Sequence, residues 1–132
     1  MNNLNNYKKA FFIIKKDLII NPDEKNFLLY KYMIENKILS FLIITAFDSN
    51  EKNILHNREK NSFLENDLSN YKYFKCIGCD NVENPTHIEE SFFVKNISFE
   101  DSIRLCKKYN QDCILWSNND VPRLYDRYGN MI

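Results

Sequence analysis

The segment Ile38–Phe47 carries no charged side chain over ten residues and constrains the fold more than any other stretch of the chain. It shows no period-two alternation, so it reads as a strand covered on both faces in the centre of a sheet, Ile38–Ala46, with Thr45-Ala46 at its carboxyl end. A membrane-spanning helix needs about 20 apolar residues, so no membrane partner is expected from this run. With 132 residues the chain has room for one domain, 1–132, since two halves would each be left with a marginal core.

The elements around that strand follow from local patterns. Tyr7–Ile14 and Leu18–Ile20 read as two short strands separated by Lys15-Lys16-Asp17. Asn21-Pro22-Asp23-Glu24 combines an Asn cap, a proline at the first helical position and early acids, which predicts a helix to about Asn36 with Phe27, Tyr30, Ile34 and Ile38 inward. Asp48-Ser49-Asn50-Glu51 is a second capping-box pattern and predicts a helix from about Glu51 to Leu68. Tyr71–Ile77 and Ile88–Lys95 read as strands joined by the polar segment Asp80–His87, which contains Pro85. Ser98-Phe99-Glu100-Asp101 caps a third helix to about Tyr109, with Phe99, Ile103 and Cys106 along one side. Asp112–Ser117 and Val121–Tyr125 complete the set, Pro122 marking the last as an edge strand.

Composition removes several chemistries. Gly78 and Gly129 are the only glycines, so neither a dinucleotide-binding glycine loop nor a phosphate-binding Walker loop can be written. His56 and His87 are the only histidines and are too far apart for H-E-x-x-H zinc chemistry. The polar start of the chain and the charges within Lys8–Ile20 predict no signal peptide and a cytoplasmic location with reduced thiols. Eighteen basic and eighteen acidic residues cancel, the wrong balance for an obligate nucleic-acid binder. The charge is uneven all the same: residues 1–37 carry seven lysines against four acids, and residues 48–101 carry six basic against eleven acidic.

Polar residues in apolar positions mark the candidate site. On the second helix Ile54, Asn57, Asn61, Leu64 and Leu68 step by three and four, which sets two asparagines on the apolar stripe. Either they bond neighbouring backbone, or Asn57 faces a polar pocket near Thr45. In Ile88–Lys95, alternation puts Ile88, Glu90, Phe92 and Val94 on one face and Glu89, Ser91, Phe93 and Lys95 on the other. One glutamate therefore shares a face with large apolar side chains. Glu90 in that position would have its pKa raised by desolvation and become a candidate acid or base, unless a cation pairs with it. Trp116, near Gln111, is either core or a stacking wall.

Cys76-Ile77-Gly78-Cys79 with His87 nearby resembles half a zinc knuckle, but Cys106 falls on a helix stripe and Cys113 inside a strand. No cofactor is expected on that reading, and zinc at Cys76, Cys79 and His87 is the lesser alternative.

Together these residues resemble a bacterial family known as domain of unknown function 3293. The resemblance spans about Phe41 to Leu124. It rests on the apolar strand ending in Thr45-Ala46, on Asn57-Arg58 before Leu64 and Leu68, on Gly78 in a loop, on Glu89-Glu90-Ser91-Phe92, and on Tyr109-Asn110-Gln111 before Cys113-Ile114-Leu115-Trp116. Here Phe47-Asp48-Ser49 stands where the family usually has an aromatic residue followed by Asn-Pro. The family implies a shared architecture and a shared polar site, and no established activity.

The expected fold is α+β or α/β, a mixed and largely antiparallel sheet of five to seven strands with about three helices mainly on one face. The expected function is binding of a polar ligand, a nucleotide or metabolite, at the end of the central strand. Glu89 and Glu90 are the candidate catalytic groups, and Thr45, Asn57, Arg58, Ser91, Gln111 and Trp116 the candidate ligand contacts. The alternatives are a protein interaction or regulatory module and, third, weak nucleic-acid binding. A monomer or homodimer is expected.

Overall fold

A strand without charge or alternation must be shielded on both sides, and Phe41–Ile44 (β3) is buried along its whole length. The protein is described by a computed structural model covering residues 4–80 and 87–132. Before β3 come a 3-10 helix, Leu4–Lys9, the strands Phe11–Lys15 (β1) and Leu18–Ile20 (β2), and the helix Phe27–Glu35 (α1). After it come the helix Ile54–Asp67 (α2), the strands Lys72–Cys79 (β4) and Ile88–Lys95 (β5), the helix Phe99–Lys108 (α3), and the strands Cys113–Ser117 (β6) and Arg123–Asp126 (β7). The seven strands form one sheet in the order β2-β1-β4-β5-β3-β6-β7, every neighbouring pair antiparallel. β3 is an interior strand beside the middle one, β5, and β7 is an edge as Pro122 predicts. Among the described residues no helix is long and apolar enough to cross a membrane.

Alternation along β3 and β5 divides the core into two layers. Phe41, Ile43 and Phe93 pack with Leu29 and Met33 of α1, the rings of Phe41 and Phe93 stacked at 5.0 Å. Leu42, Ile44, Phe92 and Val94 pack with Leu64 and Leu68 at the end of α2 and with Leu105 and Cys106 of α3. Two of the three helices thus share one face, which gives a mixed α+β fold. The cap of α3 is as predicted, Ser98 Oγ accepting from Asp101 N at 3.1 Å.

Three local expectations are corrected. The chain from Tyr7 does not enter a strand directly, because Leu4–Lys9 is helical and β1 starts at Phe11. Helix α1 begins at Phe27, capped by Asn26 rather than Asn21. Asn21 and Glu24 do join, Nδ2 donating to Oε2 at 2.9 Å, but Asp23 sits at φ 66°, donates its N–H to Pro122 O at 2.7 Å and pairs with Arg123 at 3.0 Å. Those contacts with the strand-β7 approach hold the segment out of helix. The later start turns α1: Leu29 and Met33 face inward, while Phe27, Tyr30 and Ile34 are 74%, 52% and 64% exposed. Of the predicted inward set, Ile38 alone is buried. Helix α2 likewise starts later, at Ile54, with Asn53 as its cap and Asp48–Glu51 forming a turn ahead of it.

Candidate functional site

The site begins where the sheet stops. The β3–β6 ladder ends at Ile43–Leu115 and the β3–β5 ladder at Ile44–Phe92, so the backbone from Thr45 onward needs other partners. Side chains supply them. Thr45 Oγ1 donates to Glu90 O at 2.8 Å and accepts from Phe47 N at 3.1 Å. Asn61 accepts from Ala46 N at 2.7 Å and donates to Glu90 O at 2.8 Å. Asn57 accepts from Asp48 N at 2.8 Å and donates to Asp48 O at 3.3 Å. Gln111 Nε2 donates to Phe47 O and Tyr109 O, both at 3.1 Å. The asparagines on the α2 stripe are 5% and 7% exposed because they stand in for missing ladder partners.

Beyond this plugged strand end lies a cleft of about 470 Å³. Tyr7, Phe12, Glu89 and Ser91 line it from the α1 side of the sheet, Thr45 to Asn50 and Gln111 to Cys113 from the strand ends, and Lys60 and Lys108 from α2 and α3. The Phe12 ring lies over Gly78, where an added Cβ would come within 3.2 Å of the ring. Gly78 is therefore a strand residue of β4 beneath an aromatic ring, not the loop residue that the sequence resemblance suggests.

The two glutamates separate as alternation requires, and the fold decides between them. Glu90, on the α2 side, lies against Arg58 Nε at 2.9 and 3.1 Å, the cation that the sequence left open. Its side chain is 40% exposed. Glu89, on the α1 side with Ser91 and Phe93, lines the cleft, and burial raises its carboxyl above the ordinary carboxylate range. His87 Nε2, 3.0 Å from Oε1, opposes that shift, and Asp80 adds to it.

Of the sequence-predicted residues, the fold brings Thr45, Glu89, Ser91 and Gln111 together on the cleft wall. Asn57, Arg58 and Glu90 stand behind that wall on the α2 side. Trp116 lies on the α3 side of the sheet, its Nε1 donating to Ile97 O at 3.1 Å and its ring edge-on to Phe99 and Tyr125. It is a core wall and not part of the cleft. Cys76 and Cys79 both fall within β4, where residues three apart point to opposite faces, so they do not share a ligand sphere. Among the described residues no group of three or more His, Cys, Asp or Glu side chains is placed to hold a metal ion. The Pro85 expectation lies outside the described residues.

The sequence missed a second polar group on the cleft. Tyr7 Oη donates to Asp112 Oδ2 at 2.9 Å, and Arg127 meets Asp112 Oδ1 at 3.2 Å. Burial, then the bond to Asp112, pushes the Tyr7 hydroxyl well above its usual range. No local pattern signals a contact between residues 105 positions apart.

A family described as Protein of unknown function (DUF3293) matches residues 44–114, from the end of β3 into β6. That stretch contains Thr45, Asn61, Glu89, Ser91, Gln111 and Asp112, while Tyr7, Phe12, Arg127 and all of α1 lie outside it. No curated protein and no solved structure matches the chain. The match covers just over half of the residues, and the chain belongs to the DUF3293 family.

Proposed function

We propose that the protein binds a small polar molecule, a nucleotide or another polar metabolite, in the cleft at the end of β3. The observation that carries this reading is Glu89, a carboxylate held on the cleft wall with its pKa raised by burial. Desolvating a carboxylate costs free energy, and such a group facing a hollow is a natural anchor or proton carrier for a ligand. The cavity volume lies within the range of small-molecule sites. Glu89 serves as hydrogen-bond anchor or as acid and base, with Ser91, Thr45 and Gln111 beside it. A thermal-shift screen of nucleotides and polar metabolites tests this. The expected result is a compound that raises the melting temperature of the parent and fails to raise that of Glu89→Gln; no stabilising compound, or equal stabilisation of both proteins, would overturn the reading.

A second reading, an interaction module without catalysis, is favoured by the exposed stripe Phe27, Tyr30 and Ile34 on α1. Sedimentation of the parent beside a Phe27→Ser, Ile34→Ser double variant checks whether that face joins two copies: a parent dimer reduced to monomer supports it, and identical monomers count against it.

A further inference from the structure

We infer that the ligand of the cleft carries a head rich in N–H donors, which meets Glu89, and an anionic tail, which meets Lys60 and Lys108. This rests on the proposed pocket and deepens it. The argument is an inventory of what the wall has left to offer. Thr45 uses its hydroxyl hydrogen on Glu90 O, Ser91 Oγ donates to Glu89 O at 3.3 Å, and Gln111 uses both amide hydrogens on Phe47 O and Tyr109 O. Tyr7 donates to Asp112, and Arg127 is tied to Asp112 and, at 2.7 Å, to Asn110, where its guanidinium keeps further N–H groups at the Asp112 end of the cleft. Away from Arg127, what remains around Glu89 is acceptor capacity: the Gln111 amide oxygen, lone pairs on Ser91 Oγ, and the Glu89 oxygen that His87 does not meet. A wall of acceptors binds a donor, and a carboxylate binds a charged or planar N–H group best, through two parallel hydrogen bonds.

The opposite wall carries two ammonium groups against one carboxylate, Asp48. Lys60 and Lys108 line the cleft from α2 and α3. The Lys60 pair with Asp48 is long, 3.8 Å, and half exposed on both sides, so an incoming anion displaces it at little cost. Lys108 meets Asp67 at 2.7 Å, and a three-donor ammonium retains hydrogens for a second acceptor. The chemistry shared by a guanidino or amino acid and by a nucleotide with an amino-bearing base is this pairing of donor head and anionic tail.

The test uses titration calorimetry with four probes: γ-guanidinobutyrate and guanosine monophosphate, which have both ends, agmatine, which has two cationic ends, and glutarate, which has two anionic ends. At least one two-ended probe is expected to bind about tenfold more tightly than agmatine and glutarate, and which one does so separates an amino-acid-like from a nucleotide ligand. Glu89→Gln is expected to abolish that advantage. Lys60→Gln, an exposed change that leaves the core untouched, is expected to weaken the two-ended probe and spare agmatine. Tightest binding by glutarate, or a two-ended advantage that survives Glu89→Gln, overturns the charge order while the pocket stands. If none of the four binds but another metabolite stabilises the chain in the thermal screen, the charge order again falls alone; if nothing stabilises it, both readings fall.

Discussion

Helix α1 exposes Phe27, Tyr30 and Ile34 and relies on Leu29 and Met33 for its packing, whereas α2 exposes Ile54 and Leu55 and buries Asn57 and Asn61 beside Leu64. Both helices break the rule of apolar inside and polar outside, in opposite directions, and the surfaces opposite them explain why. Under α1 the sheet presents a continuous apolar face, Phe41, Ile43 and Phe93, so any apolar stripe would serve and the cap at Asn26 selects one. Asn26 also donates to Ile19 O at 3.0 Å, which ties the start of α1 to β2 and fixes its rotation. Under the first turns of α2 the sheet presents backbone whose ladder has ended. An amide there completes the sheet; a methyl group would leave a buried N–H without a partner.

The largest effect is expected from Leu29→Ala, which empties the inner face of α1 and should cost about 3 kcal/mol in urea unfolding. A loss no greater than that of a surface change would break the claim that this face holds the helix. Next comes Asn61→Ala, expected to cost about 2 kcal/mol because Ala46 N–H loses its acceptor. Asn61→Leu sharpens the comparison: a conventional stripe would gain from the added apolar side chain, and here it should be no more stable than the alanine variant.

A smaller effect with a definite sign is expected at Glu89. Its pKa is raised in the folded state, so the folded protein holds this proton more tightly than the unfolded chain, and the group's contribution to stability falls as pH rises above the ordinary carboxylate value. Glu89→Gln removes that dependence. Unfolding free energies of variant and parent, compared from about pH 4 to about pH 7, should diverge in favour of the variant as pH rises. A gap that closes with rising pH would mean that His87 outweighs burial. Phe27→Ser should be the quietest change, within about 0.5 kcal/mol. A substantial loss would show that the outer face of α1 is covered in solution.

Much of the frame was legible because its signals are short-range. β5 was readable over its full length, β3 from its lack of charge, and α3 from Ser98 with the acids after it. The asparagines of α2 stood out because their spacing placed them on an apolar stripe; Asn57 does bond backbone just ahead of the helix, at Asp48, but Asn61 bonds Ala46 and Glu90, not neighbouring backbone. The starts of α1 and α2 were not legible. Asn21 and Asp48 carry capping signatures that are correct for an isolated segment, and Asp23 is held by Pro122 and Arg123 about 100 residues downstream. The Tyr7–Asp112–Arg127 group was invisible for the same reason.

The order of residues alone determined that an uncharged strand must lie inside a sheet, that Glu89 and Glu90 must point to opposite faces, and that two amides on an apolar stripe must find partners. These follow from strand and helix periods, which are properties of the backbone. Only the tertiary structure decided which glutamate meets a cation and which a hollow, and which side of α1 turns inward. The reason is that a period fixes relative directions along one element, while absolute direction depends on what the rest of the chain brings up against it: Arg58 on α2 for Glu90, and the cleft for Glu89.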